Sequence, residues 1–98
     1  MAKELIWTKR ANVNFNKIIA YLENEWGEKV TENFVKKTYT ILELLTDQPE
    51  IGTLEHQNKN IRGFPLSKHT RLFYRITDKE IIFINFFDSR SDPKKRRI

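Results

Sequence analysis

Between Arg71 and Ile76 the apolar-rich set Leu72, Tyr74 and Ile76 alternates along the chain with Arg71, Phe73 and Arg75. Period two puts Leu72, Tyr74 and Ile76 on one face of a strand and Arg71, Phe73 and Arg75 on the other. Residues Ile81 to Phe87 are apolar on both faces, which is the pattern of a central strand. The short polar break Thr77-Asp78-Lys79-Glu80 separates the two runs. The whole stretch His69 to Arg90 therefore predicts a β-hairpin. One side of the resulting sheet then carries fixed positive charge.

Upstream the period changes. Ala11, Phe15, Ile18, Ile19, Leu22 and Trp26 recur at helical spacing, and Gly27 supplies a residue able to take positive φ at the end. Thr8 is placed to cap that helix. A second helix runs from Glu28 to about Thr46, with Val30, Phe34, Ile41 and Leu45 as its stripe and Leu42 and Val35 widening it. Pro49 ends it, because the residue before a proline is pushed out of the α region. Two helices joined only at Gly27 form an antiparallel hairpin, and their apolar stripes need a sheet to cover. Glu4 to Thr8 reads as a strand entering that sheet beside the β-hairpin. Glu50 to Asn60 is polar and reads as a loop of about a dozen residues. Asn60 to Pro65 reads as a short strand, with Pro65 at its end. The predicted fold class is α+β. An N-terminal strand precedes an antiparallel helical hairpin packed on a mostly antiparallel sheet of about four strands. Residues 1–98 form a single domain with a basic tail at 91–98.

Composition narrows the function. There is no cysteine, which removes disulfides and thiolate chemistry. His56 and His69 do not make a metal site between them. No cofactor is expected, since three glycines cannot build a nucleotide cradle of the usual kind. No apolar run approaches the roughly 20 residues of a membrane helix, and the N-terminus lacks a signal-peptide apolar region. A cytoplasmic protein without a membrane partner is expected. The net charge of +5 is segregated: residues 1–58 hold 7 Lys/Arg against 9 Asp/Glu, and residues 59–98 hold 11 against 4. The positive field lies on the sheet half and the tail, and suits a polyanion or an acidic protein.

The basic side chains are Lys59, Arg62, Lys68, His69, Arg71, Arg75, Arg90 and the run Lys94-Lys95-Arg96-Arg97, with Phe73 and Tyr74 between them. Guanidinium forks bind phosphate bidentately and stabilise charge on a phosphodiester under attack. Cleavage of RNA through its 2′-hydroxyl needs a base, an acid and cations, and no metal. His69 is the side chain of this set that ordinarily titrates near neutrality.

Together these segments resemble the RelE/ParE superfamily of toxins from type II toxin–antitoxin systems. The resemblance rests on Ile6-Trp7-Thr8 with Ala11, Ile18 and Tyr21-Leu22, and on Phe34 to Leu45 followed by Pro49-Glu-Ile-Gly52. It rests also on Ile61-Arg62, on Arg71-Leu-Phe-Tyr-Arg-Ile, and on Phe86-Phe-Asp-Ser-Arg90 with Asp92-Pro93. It implies a growth-arresting toxin neutralised by a cognate acidic antitoxin that folds on binding. RelE-type members cleave mRNA on the ribosome as metal-independent endoribonucleases. By that analogy Arg71, Arg90 and His69 are the catalytic candidates. Lys59, Arg62, Lys68, Arg75, Lys94 and Lys95 are the RNA-binding candidates. The tyrosine that RelE-type enzymes place after the last strand has no counterpart among Lys94-Lys95-Arg96-Arg97. ParE-type members instead inhibit DNA gyrase without a nuclease site. An inactive relative that binds only its antitoxin is the remaining alternative.

Overall fold

The computed structural model describes residues 3–56 and 59–90. Strand β1 (Glu4–Trp7) leads into helix α1 (Lys9–Trp26) and helix α2 (Glu28–Asp47). A 3-10 turn at Pro49–Ile51 and four strands follow: β2 (Thr53–His56), β3 (Ile61–Pro65), β4 (Thr70–Ile76) and β5 (Glu80–Asp88). They form one sheet in the order β1-β5-β4-β3-β2. β1 is parallel to β5, and the other pairings are antiparallel. The fold class is the one expected, except that the sheet has five strands rather than about four. The extra strand, β2, lies inside the stretch expected to be a loop. It is an edge strand, Thr-Leu-Glu-His, whose residues Thr53 to Glu55 are exposed, so it has no apolar alternation to reveal it.

The helices begin and end where local chemistry dictates. The Thr8 hydroxyl accepts from the Ala11 N–H at 3.1 Å and donates to the Phe83 carbonyl at 2.7 Å. One side chain thus caps α1 and fastens it to β5. Gly27 sits at φ 88° and separates the two helices with a single residue. From α1, Ala11, Phe15, Ile18 and Leu22 are buried as expected, whereas Trp26 is 58% exposed. The stripe of α2 is rotated from the expected one. Thr31, Phe34, Thr38, Leu42 and Leu45 are buried, while Val30 is exposed. Two threonines can face the core because each hydroxyl donates back one turn at 2.9 Å, Thr31 to the Gly27 carbonyl and Thr38 to that of Phe34.

Trp7 packs against the core. Its ring lies 5.4 Å from Phe15, 5.2 Å from Phe83 and 5.3 Å from Phe86. Phe83 and Phe86 could not share a face in a regular strand. They do here because β5 carries a bulge: Tyr74 pairs with Phe83 and Phe73 with Asn85, leaving Ile84 as the extra residue. The bulge inverts the alternation. Before it, Ile81 and Phe83 face the helices; after it, Phe86 and Asp88 do so, opposite Leu72 and Thr70.

Two polar connections complete the layer. The buried Tyr74 hydroxyl donates to the Pro49 carbonyl at 2.7 Å and accepts from the Gly52 N–H at 2.9 Å. Burial pushes its pKa upward, partly offset by the Gly52 N–H and the nearby Arg62 charge. Gly52 must lack a side chain, because a Cβ would stand 2.5 Å from the Tyr74 oxygen. At the end of the hairpin the Thr70 hydroxyl donates to the Asp88 carboxylate at 2.6 Å. Burial alone would raise the pKa of Asp88. Bonds from the Arg90 guanidinium, the Thr70 hydroxyl and the Arg90 N–H outweigh it, and hold the carboxyl below its ordinary 3.8.

Two outcomes are expected. Tyr74→Phe strands a buried N–H on Gly52 and should cost about 1–3 kcal/mol in a urea titration. An unchanged midpoint would show that the phenol is not holding the turn. Asp88→Asn should cost on the order of 2 kcal/mol at neutral pH. A carboxyl whose folded pKa is depressed contributes fully above its unfolded value and loses that contribution as pH falls through the folded one. The gap between wild type and Asp88→Asn in thermal midpoint should therefore narrow below about pH 4. A gap independent of pH would disconnect the carboxylate charge from stability.

Candidate functional site: the open face of the sheet

The helices cover one face of the sheet, and the candidate site lies on the other. Arg71, Phe73 and Arg75 of β4 point there, opposite to Leu72 and Tyr74 in the core. Arg75 is exposed and, among the described residues, has no hydrogen-bond or ion-pair partner. Phe73 between them is 6% exposed and gives the patch an apolar floor.

Arg71 does not project freely. Its Nη2 lies 2.7 Å from the Glu55 carboxylate of β2, two strands away. The guanidinium crosses β3 at Gly63, where a Cβ would stand 3.0 Å from its Nε and Nη2 and 3.0 Å from Glu55 Oε2. The glycine is thus the gap through which the arginine lies flat. Glu55 reaches it because β2 carries its own bulge. Leu54 pairs with Arg62 and His56 with Ile61, leaving Glu55 as the extra residue.

Arg90 is elsewhere. The β5 bulge sends it to the helix side, where its Nη2 meets Asp88 at 3.0 Å and its guanidinium sits 5.9 Å above the ring of Tyr21 on α1. Arg62 is also on the helix side, opposite Tyr74, and its Nη1 donates to the carbonyls of Gly52 at 2.8 Å and Glu50 at 3.2 Å. Its place is a clamp on the turn after α2. The face that period two predicts does carry Arg71 and Arg75, whereas Arg62 and Arg90 lie on the other side of the sheet.

Lys68 and His69 are exposed in the turn between β3 and β4. The Ser67 hydroxyl organises this turn by accepting from the N–H groups of His69 at 3.2 Å and Thr70 at 3.1 Å. Lys59 is exposed at the β2–β3 turn. Lys94, Lys95 and the rest of the tail lie outside the described residues. No group of three or more His, Asp or Glu suited to a metal ion occurs among the described residues, and none of the helices is long and apolar enough to cross a membrane. Sequence reasoning passed over Glu55, Gly63 and Asp88. Only Asp88 left a local trace, in the Asp88-Ser-Arg90 spacing that lets the carboxylate accept from the Arg90 N–H at 2.8 Å.

What this face offers chemically is two guanidinium groups on one strand, Arg75 exposed and Arg71 paired with Glu55, of the kind that bind oxyanions.

Comparison with known proteins places the fold. The chromosomal ParDE toxin–antitoxin system of P. aeruginosa contains a chain that superimposes with a TM-score of 0.73 at 16% identity, over 89% of this chain and 96% of that one. A chain of the E. coli DinJ–YafQ toxin–antitoxin complex gives 0.63 at 11% identity, over 94% and 98%. A mutant of E. coli RelE in the free state gives 0.59 at 21% identity, over 95% and 90%. No curated protein matches by sequence. The family model for the ParE toxin of the type II toxin–antitoxin system parDE matches residues 5–93. The chain belongs to the ParE toxin family, and is a toxin of a type II toxin–antitoxin system.

Proposed function

We propose that this toxin arrests growth by binding DNA gyrase through the Arg71–Arg75 face, without cleaving a substrate, and that a cognate acidic antitoxin neutralises it. The observation that carries this reading is the separation of the arginines. Arg71 and Arg90 lie on opposite sides of the sheet, each in its own ion pair. A nucleolytic centre needs a base, an acid and a charge stabiliser within about 3 Å of one phosphodiester. A binding face needs only exposed charge complementary to its partner. Membership of the ParE family points the same way, through the gyrase inhibition that the resemblance implies. The antitoxin follows from that family and from similar toxins whose structures include their antitoxins.

One observation favours a second reading, ribosome-dependent mRNA cleavage. His69 is two residues from Arg71 and is exposed next to Lys68, so a proton-transfer group and cations meet at that end of the face.

A supercoiling assay with purified toxin and gyrase, run beside toeprinting on programmed ribosomes, separates the two. Wild type should abolish supercoiling and leave message intact. Arg75→Glu should weaken inhibition at least about tenfold while moving stability by no more than about 0.5 kcal/mol, since an exposed side chain contributes little to folding. Normal supercoiling at saturating toxin with cut message would establish the nuclease reading. Neither effect would leave a relative that only binds its antitoxin.

A further inference from the structure

The reading above leaves Glu55 unexplained. It is an acidic side chain on the edge strand of a basic face, held against the very arginine proposed to meet the target. Three independent features of the chain put it there. The β2 bulge makes Glu55 the unpaired extra residue and frees its side chain from the strand's register. Gly63 leaves β3 bare where the two side chains meet. Arg71 lies flat across that gap instead of extending to solvent. An arginine needed only for solubility requires none of these.

We propose that Glu55 is an internal competitor for Arg71. Its carboxylate occupies the place on the guanidinium that an oxyanion of the target takes on binding, and it is displaced when the complex forms. This rests on the reading of Arg71 as a target contact. The energetics suit a displaceable gate. The two side chains remain 32% and 25% exposed, so an incoming anion can reach them. An ion pair of that exposure favours the paired arrangement by no more than about five-fold, a bias that a good ligand overcomes. β2 pairs only with β3, so its carboxylate can swing out without breaking the sheet. In the free toxin the pair also hides part of the positive charge from adventitious anions. It therefore serves selectivity, since the competitor weakens a single anion by a factor that a partner with several contacts readily offsets.

The test compares wild type, Glu55→Gln, Arg71→Ala and the double variant. The glutamine is nearly isosteric and keeps an acceptor while removing the charge. The first measurement titrates inorganic phosphate and follows the Arg71 Nε–H resonance by NMR, independently of any biological target. Glu55→Gln should bind phosphate up to about five-fold more tightly than wild type, the gain that follows from removing an ion pair of this kind. Equal or weaker phosphate binding would overturn the proposal and show that Glu55 orients Arg71. The second measurement is gyrase inhibition. Glu55→Gln should inhibit at a several-fold lower concentration than wild type, and the gain should vanish on the Arg71→Ala background. If Glu55→Gln gains phosphate affinity but Arg71→Ala inhibits gyrase as well as wild type does, the gate stands and the assignment of Arg71 to the target surface fails.

Discussion

A single inserted residue in β5 decides what this protein can present to a partner. With Ile84 bulged out, Phe83 and Phe86 both pack on Trp7, and everything beyond them is turned through half a strand period. The core gains a continuous aromatic centre. The same inversion carries Asp88 inward and takes Arg90 to the helix side with it. Aromatic packing and the segregation of the arginines are thus one event. A strand of regular alternation that kept Phe83 inward would turn Phe86, Asp88 and Arg90 together to the other face.

The broad architecture was legible because its signals are strong and local. Thr8, Gly27 and Pro49 mark helix boundaries by backbone chemistry that needs no tertiary context. The alternation in β4 identifies its core face. What escaped was whatever depends on distant partners. β2 is a strand only because β3 offers it hydrogen bonds, and nothing in Thr-Leu-Glu-His says so. Thr31 and Thr38 look like surface residues until one sees that each hydroxyl is satisfied by its own helix. Val30 and Trp26 look like core residues and are left outside, beside the Gly27 junction that joins the two helices.

The candidate site was legible in composition and not in geometry. Counting charges along the chain locates the basic half correctly, because charge is a property of the residue. Which face each charge takes is a property of register, and register passed through two bulges that leave no sequence signature. Arg71 and Arg75 lie in a strand whose alternation is intact, and they appear where period two puts them. Arg90 lies past the strand end, where period two makes no assignment, and the bulge before it sets its side. The place of Arg62 was hidden for a different reason. A guanidinium that satisfies two backbone carbonyls looks, in sequence, the same as one that awaits a phosphate.

The phenol of Tyr74 joins parts of the molecule that the chain order keeps apart. It grips the segment leaving α2 from the underside of the strand whose upper side bears Arg71 and Arg75. The turn that follows α2 and the strand that bears those arginines are therefore bonded through one side chain, so the helix-covered back of the sheet and its basic front share β4 as a common support.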